Sequence, residues 1–275
     1  MNKKISVLQQ FSNFRNTKKF TLSTFSGLDF IEVIQHSEHV FNVKLNRPEI
    51  RNAFTLPFWR ELRSVFDHLA INSKCRSIVL SAVGKSFCSL KLRELIATCQ
   101  DSFTSLEKCP KPVIAAIHGH CIGAGISLAA AADIRYASKD AVFSVKEVDI
   151  GLAADVGILN RINKLVGNDS LTREFAYTAR DFNSSEALQY GFISRQFDST
   201  EECLSAALSL AGIIATKSPI AVQGTKLAMN YSRDHTIDDS IQFIRTWNQS
   251  QLQSDDLFRA SAAAFSNEKP KFDDA

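Results

Sequence analysis

The sequence lacks the spacings that most often mark metal or redox sites. Its six cysteines include no CxxC pair, and its six histidines include no HExxH motif. The sequence therefore predicts no metal site. Several cysteines fall inside apolar runs, so we expect buried free thiols in a reducing compartment rather than disulfides.

An excess of charge of either sign is also missing. The 275 residues include 32 Lys and Arg against 29 Asp and Glu, which gives a net charge of +3. This balance argues against nucleic acid or an anionic membrane as the main partner. Charged residues make up 22% of the chain and apolar residues 45%, as in folded globular proteins.

No hydrophobic run has the form of a membrane span. Residues 113–134 come closest, with no charge before Asp133, but three glycines and two histidines interrupt them. A buried strand followed by a buried helix explains this stretch better. We therefore expect no membrane span.

Acidic residues are absent from the first 28 positions, which carry five basic ones: Lys3, Lys4, Arg15, Lys18 and Lys19. This segment is also rich in Ser, Thr and Phe, a pattern typical of a mitochondrial transit peptide. A disordered basic tail is the alternative. We predict a leader over residues 1–28 and a mitochondrial matrix location. The C-terminal tripeptide is not a peroxisomal signal.

Strand and helix patterns alternate along the next 170 residues, which predicts an α/β fold. Strands are predicted at residues 40–45, 77–81, 113–117 and 143–145, and helices after Thr55, around 92–106, after Gly123 and from Asp155. Beyond residue 197 the pattern is helical, beginning with a Ser199–Glu202 capping box. The helix that begins there is predicted to run to about residue 216, and further helices are predicted around 219–231, 236–253 and 255–266. The chain thus divides into a core at 29–197 and a helical module at 198–275.

A glycine-rich turn, Gly123-Ala124-Gly125, lies between a predicted strand and a predicted helix. Helix N-termini direct unpaired N–H groups at anions. The spacing fits neither a phosphate-binding loop nor a dinucleotide-binding fingerprint. Close packing of strand and helix is an equally good explanation of these glycines.

Three carboxylates, Glu147, Asp149 and Asp155, lie among apolar residues just beyond this region. Glu147 and Asp155 are eight residues apart across a glycine turn, so they could converge on one cavity and move a proton between two carbons. Structural alternatives exist for two of them. Asp155 would be a good helix N-cap, and Asp149 could form a surface ion pair with Lys146.

The chain resembles the enoyl-CoA hydratase/isomerase (crotonase) family over about residues 38–265. The resemblance lies in residues 45–48 (LNRP) with 51–53 (RNA), 111–119 (KPVIAAIHG), 123–125 (GAG) and 133–135 (DIR). Residues 146–161 (KEVDIGLAADVGILNR), 218–226, 231–240 and 246–256 are similar to its dienoyl-CoA isomerase branch, which is found in mitochondria and peroxisomes. A peroxisomal location is therefore the alternative.

This resemblance implies a spiral core of ββα turns and a C-terminal helical module that assembles trimers or hexamers. It implies an acyl-CoA thioester as substrate and no cofactor. The thioester oxygen would accept hydrogen bonds from two backbone N–H groups, one of them at Ala124 between Gly123 and Gly125. The proton shuttles map to Glu147 and Asp155, and CoA-binding positions map to Arg51 and Asn52.

Two departures from the family pattern are present. The branch has a third acid on the helix after the glycine turn, where this chain has Ser127. The second N–H donor normally lies in a Ser/Ala-Gly-x-Asp-Leu segment, but residues 87–92 (FCSLKL) lack the Gly and the Asp. The path from there to Lys111 is also short, and Leu90 is the nearest candidate donor.

The resemblance predicts an isomerase of fatty-acid β-oxidation that converts 3,5-dienoyl-CoA to 2,4-dienoyl-CoA by carboxylate proton shuttling. Two alternatives remain open. An enoyl-CoA hydratase would activate water between two glutamates, of which only Glu147 is present. The shortened loop also fits a catalytically impaired crotonase-fold protein that serves in binding or oligomerisation.

Overall fold

A computed structural model describes residues 27–87 and 96–274. Nine strands lie in these ranges: β1 (Ile31–Ser37), β2 (Val40–Leu45), β3 (Ser77–Ala82), β4 (Val113–Ile117), β5 (His120–Ile122), β6 (Ile134–Ser138), β7 (Val142–Ser144), β8 (Phe182–Asn183) and β9 (Arg195–Phe197). The strands predicted from apolar patterning are all present, within one or two residues of their predicted limits.

Ten α-helices lie in the same ranges: α1 (Leu56–Ala70), α2 (Ile96–Lys108), α3 (Ala124–Ala131), α4 (Ile158–Leu165), α5 (Asp169–Thr178), α6 (Ser184–Gln189), α7 (Thr200–Ala215), α8 (Pro219–Tyr231), α9 (Ile237–Gln251) and α10 (Asp255–Ser266). Two short 3-10 helices span Pro48–Ile50 and Glu147–Ile150. Ser199 caps α7 by accepting a hydrogen bond from the Glu202 N–H, as predicted.

The main sheet has six strands in the order β1-β2-β3-β4-β6-β9. The β1–β2 pair is antiparallel and the other four pairs are parallel. The uniformly apolar β4 is buried at every residue, as expected of a strand in the middle of a parallel sheet. This strand–helix alternation confirms the predicted α/β class.

The edge strand β1 was not predicted. Most of its residues are exposed or half-buried, and Ile31 is the one that is fully buried. An edge strand of this kind has no strong alternation, so its sequence alone does not identify it. Next to it, the backbone N–H groups of Asp29 and Phe30 donate to Glu61, and Leu28 packs against the core.

Helices cover both faces of the main sheet. One face packs against α1, α2 and α3 in the larger apolar core, which contains the aromatic group Phe54, Phe58, Trp59 and Phe103. The opposite face packs against α7, whose Cys203, Ala207 and Ala211 are buried on the sheet. Helix α7 therefore completes the core, and the predicted division of the chain at residue 198 stays a prediction.

A buried lysine fastens the next helix, α8, to the core. The ammonium of Lys226 lies 2.7 Å from the Asp133 carboxylate and donates to the carbonyl oxygens of Leu106 and Lys111. Helix α9, in contrast, buries none of its residues within this chain.

The five described cysteines, at positions 75, 99, 109, 121 and 203, are free and buried, as predicted. Cys88 lies outside the described residues. Within the described ranges, no single helix is long and apolar enough to cross a membrane. Helices α7 and α8 together meet the length and composition criteria, with a bend of 112° between them.

Candidate active site

The site is built where two neighbouring parallel strands end. In a three-stranded sheet of order β5-β7-β8, Ile122 at the end of β5 pairs with Ser144 at the end of β7. The glycine turn follows Ile122 directly, and Glu147 lies three residues beyond Ser144. Because the carboxyl ends of parallel strands share one edge of a sheet, these two segments leave the sheet side by side.

The glycine turn has the geometry of an anion-binding helix start. Gly123 has φ 60° and ψ −119°, a conformation that residues with a Cβ rarely adopt. Its N–H donates to the Ser144 carbonyl at 2.9 Å, which ties the turn to β7. Ala124 is the first residue of α3, so its N–H has no acceptor within that helix. Gly125 follows inside the helix, fully buried.

A second glycine, Gly119, packs closely against residues 85 and 86. Gly119 has φ +55°, and a Cβ built on it would lie 2.1 Å from the Lys85 carbonyl oxygen. This close approach forms an isolated bridge between Ser86 and Gly119. Gly119 thus allows two backbone segments to approach more closely than a residue with a Cβ would permit.

Glu147 is the most unusual charged residue of the site. Its side chain is 3% exposed, and neither carboxylate oxygen has a hydrogen-bond partner among the described residues. Burial raises the pKa of Glu147, and the charge of Asp155 raises it further. The backbone N–H groups of Lys146 and Glu147 offset this pKa shift in part, without meeting hydrogen-bond geometry. A buried carboxylate with these properties is suited to proton transfer.

Asp155 lies in an irregular segment between the second 3-10 helix and α4 and is half-buried. Burial, and secondarily the charge of Asp155, raise the pKa of Cys99 on α2 to about 12. The prediction that Asp155 begins and caps a helix is wrong. Helix α4 begins at Ile158, and Gly157 with φ +110° occupies the N-cap position. The Asp155 carboxylate is therefore not a helix cap.

Ser127 is the third side chain of this region. It lies in α3 one turn after the glycine turn, and its N–H donates to the Gly123 carbonyl at 3.2 Å. The side chain is fully buried, and its hydroxyl has no partner among the described residues. The Ser127 hydroxyl and the Glu147 carboxylate thus both lack hydrogen-bond partners among the described residues. Buried polar groups in folded proteins are usually paired, so each of the two has free capacity for a hydrogen bond.

Asp149 has the structural role predicted as its alternative. Its carboxylate lies 3.3 Å from the Lys146 ammonium, which also lies 3.5 Å from Asp181. Both acids are exposed, so this is a surface ion pair.

The two predicted CoA-binding residues differ in environment. Arg51 is exposed and has a left-handed backbone. Asn52 is fully buried, and its amide donates to the carbonyl oxygens of Val83 and Ser86 at 2.8 Å. The Asn52 side chain thus holds the backbone of residues 83–86 in place. A CoA contact by either residue stays a prediction.

Leu90, the predicted second N–H donor, lies outside the described residues. No group of three or more His, Cys, Asp or Glu side chains in the described ranges could hold a metal ion.

Sequence patterns missed two side chains beside Asp155. Gln100 on α2 donates to the Asp155 carbonyl oxygen, and Arg161 on α4 donates to the Gly157 carbonyl oxygen. The Gln100 contact spans 55 positions, and no local motif marks that residue. Arg161 ends the stretch 146–161 that resembles the dienoyl-CoA isomerase branch, but its contacts become visible only in the tertiary structure.

Comparison with known proteins identifies the family. The enoyl-CoA hydratase/isomerase family model matches residues 35–275. The chain belongs to this family. A family member from Rattus norvegicus, named mitochondrial Delta(3,5)-Delta(2,4)-dienoyl-CoA isomerase, is 46% identical over 264 residues, covering 88% of this chain and 81% of that protein. An Arabidopsis thaliana relative, named peroxisomal Delta(3,5)-Delta(2,4)-dienoyl-CoA isomerase, is 38% identical over 276 residues. The match covers 92% of this chain and 99% of that protein. The predicted resemblance to this branch of the family is confirmed.

A solved structure supports the fold. The crystal structure of an enoyl-CoA hydratase from Bacillus anthracis matches this chain with a TM-score of 0.85 at 24% identity, covering 89% of this chain and 99% of that one. At this identity the likeness concerns the fold alone, and it confirms the predicted crotonase-like architecture.

Proposed function

We propose that this member of the enoyl-CoA hydratase/isomerase family is a Δ3,5-Δ2,4-dienoyl-CoA isomerase of fatty-acid β-oxidation. The observation that carries the proposal is the Glu147 carboxylate. It is buried without a hydrogen-bond partner among the described residues, under the influence of Asp155, at the strand edge that also bears the glycine turn. The relatives named as dienoyl-CoA isomerases support the choice of substrate.

The reaction needs one proton removed and one returned. Removal of a proton from C2 of a 3,5-dienoyl thioester forms an enolate whose charge spreads along the conjugated chain. Return of a proton at C6 gives the 2,4-dienoyl product, so no atoms are gained or lost. Glu147 and Asp155 are the two groups that we propose exchange these protons. Metal and redox cofactors have no step in this scheme.

The enolate oxygen would be stabilised by backbone N–H groups. Ala124 supplies one donor, since its N–H has no acceptor within α3 and the Gly123 conformation sets its direction. The second donor would come from residues 89–91, with Leu90 as the nearest candidate. Ser127 would contact the acyl group or a water molecule next to Glu147, and Arg51 would contact CoA from the exposed surface.

The helical C-terminus is proposed to assemble trimers or hexamers. Helices α9 and α10 expose large apolar side chains, including Ile237 at 79%, Phe258 at 65% and Phe265 at 95%. Apolar surface of this extent is typical of an interface. Light scattering after size-exclusion chromatography tests it: a monomer at micromolar concentration would refute the proposed assembly.

We also propose that the mature protein acts in the mitochondrial matrix, with the peroxisome as the alternative. The basic, acid-free residues 1–28 support the first location, and the rat relative carries a mitochondrial name. Fusion of residues 1–28 to a fluorescent protein tests whether this segment directs import.

The decisive assay mixes the purified protein with a 3,5-dienoyl-CoA and follows the ultraviolet absorbance of the 2,4-dienoyl product. We expect Glu147→Gln to lower kcat by about 10²-fold or more with little change in KM. The matched control is Asp149→Asn, an exposed acid of the same 3-10 helix, which should leave kcat unchanged. Equal loss in both variants, or none in either, would contradict the role of Glu147.

The same preparation separates the alternatives. Faster hydration of a 2-enoyl-CoA than isomerisation of the diene would establish a hydratase. Neither reaction, together with a stable oligomer, would establish the catalytically impaired crotonase-fold protein.

A further inference from the structure

The segment that carries Asp155 has little regular structure of its own. Residues 152–155 belong to no helix or strand, and the next two residues form a bend before α4. Ala154 and Val156, on either side of Asp155, are buried in the larger core. These apolar contacts hold one side of the segment, and its carbonyl groups need partners elsewhere.

Two side chains supply those partners. The Gln100 amide, on α2, donates to the Asp155 carbonyl oxygen at 2.5 Å. The Arg161 guanidinium, on α4, donates to the Gly157 carbonyl oxygen at 3.3 Å. The two acceptor carbonyls belong to residues 155 and 157, so the two hydrogen bonds hold both ends of this three-residue stretch.

Arg161 is itself fixed to α2. It donates to the Glu107 carboxylate through Nε at 3.1 Å and Nη2 at 2.8 Å, and to the Thr104 hydroxyl at 3.1 Å. Burial alone would raise the pKa of Glu107, but Arg161 and Arg233 together hold it below its ordinary value. Glu107 is therefore a firmly ionised anchor, and a fork of this kind restricts the guanidinium to one orientation.

The backbone at Gly157 is shaped to this contact. A Cβ built on Gly157 would lie 2.0 Å from Arg161 Nη1. The residue therefore accommodates the guanidinium as well as the positive φ. A larger side chain at 157 would force Arg161 away.

We propose that Gln100 and Arg161 are positioning residues for Asp155, which hold residues 155–157 against α2 and so fix the separation of the Asp155 and Glu147 carboxylates. The kinetic consequence rests on the proposed function, because Asp155 must take part in proton transfer for its position to affect kcat. The geometric consequence does not rest on it.

Three variants test the clamp formed by Gln100 and Arg161. Gln100→Ala removes one donor, Gln100→Glu places a carboxylate against a carbonyl oxygen, and Arg161→Lys keeps the charge beside Glu107 but loses the fork. Because Gln100 and Arg161 line a polar cavity of about 450 Å³, truncation opens no void in the apolar core. Should Arg161→Lys fail to fold, the exposed Gln100 still provides the test.

We expect each variant to lower kcat about ten-fold with KM within two-fold, since small displacements of a catalytic group have effects of this size. Adding Gln100→Ala to Asp155→Asn should lower kcat no further, because the clamp acts through Asp155. The matched controls are Gln196→Ala, which removes an amide bonded to Ser184 and Ser185, and Arg180→Lys, which removes a fork to Glu174 and Glu186. Both should leave kcat unchanged.

The pKa of Glu147 gives a readout that is independent of activity. It is measured by following the NMR chemical shift of the Glu147 carboxyl carbon against pH in ¹³C-glutamate-labelled protein. The signal is assigned by its absence in Glu147→Gln. Asp155 is the charged group among the described residues whose field acts on Glu147. Moving Asp155 away should lower the pKa of Glu147 in Gln100→Ala and Arg161→Lys, in the same direction as Asp155→Asn.

The outcomes are distinguishable. An unchanged Glu147 pKa in both clamp variants, with a lowered one in Asp155→Asn, would overturn the positioning role. An inactive parent whose Glu147 pKa still follows the clamp variants would overturn the proposed function and leave the clamp in place.

Discussion

The carboxylates of Glu147 and Asp155 interact across eight residues of chain, so that the charge of Asp155 adds to the effect of burial on the pKa of Glu147. Glu147 is held at the end of β7, whereas Asp155 is held by contacts to α2. Their relation is thus a property of the packed fold. It carries a cost in stability, because a buried charge without hydrogen bonds is unfavourable.

The first prediction follows from that cost. Glu147→Gln replaces a buried carboxyl group, whose ionised form burial disfavours, with a neutral amide of the same shape. The variant should therefore be more stable than the parent at pH values above the raised pKa of Glu147. We expect a gain of about 1 kcal/mol in the free energy of unfolding, or a Tm rise of roughly 2–4 °C. Differential scanning calorimetry measures it, with Asp149→Asn as the exposed control.

The gain should depend on pH. Because the folded pKa of Glu147 is raised, the folded state keeps the proton at pH values where the unfolded chain has lost it. The free energy of unfolding of the parent therefore falls as pH rises from the ordinary pKa of a glutamic acid through the raised pKa of Glu147. The Tm difference should close near pH 4, about the ordinary pKa of a glutamic acid. An equal difference at pH 4 and pH 8 would assign the gain to another cause.

The second prediction concerns Gly119. Alanine there must adopt a positive φ and would meet the Lys85 carbonyl oxygen, so the backbones at residues 85 and 119 must separate. We expect Gly119→Ala to cost about 3 kcal/mol or more, a Tm loss of roughly 6–12 °C. Gly167→Ala is the matched control, since nothing lies within 4 Å of its Cβ position. Similar Tm values for the two variants would show that the backbones at residues 85 and 119 can separate at little cost in stability.

The third prediction concerns the N-terminus. The predicted leader ends at residue 28, but Leu28 packs against the core. Deletion of residues 1–26 alone should leave Tm unchanged, because this stretch is polar and basic without apolar periodicity. Deletion of residues 1–30 should lower Tm by several degrees, because Phe30 packs on Phe58 and beneath Arg47. Thermal unfolding of both proteins checks it. A loss of Tm in the shorter deletion would show that the leader contacts the domain.

The fourth prediction concerns the segment from Phe87 to Lys111, whose sequence is shorter than the family pattern. Insertion of a family-length loop with Ser-Gly-x-Asp-Leu after Phe87 should raise kcat by about 10²–10³, the usual effect of one oxyanion donor. The same loop with proline in place of its glycine is the control, since proline cannot adopt the required backbone angles. A parent already as active as the inserted protein would show that Leu90 or a neighbour donates adequately.

Sequence by itself determined the elements and the family. The apolar run of β4, the 3.6-residue spacing of α1 and the Ser199 cap of α7 are local patterns, so they are legible without the fold. The same holds for the glycine turn at Gly123, whose backbone conformation requires that residue. The Lys146–Asp149 ion pair was predictable because its partners are three positions apart.

The tertiary structure decided the burial and the contacts of the candidate catalytic residues. Pairing of Ile122 with Ser144 places the glycine turn and the segment leading to Glu147 at one edge of the sheet, and only the packed fold reveals that the Glu147 carboxylate is buried without partners among the described residues. The contact of the Gln100 amide with the Asp155 carbonyl oxygen likewise joins two residues that are 55 positions apart. These relations join residues far apart in the chain, and their free energy comes from burial and long-range hydrogen bonds, which no local periodicity records.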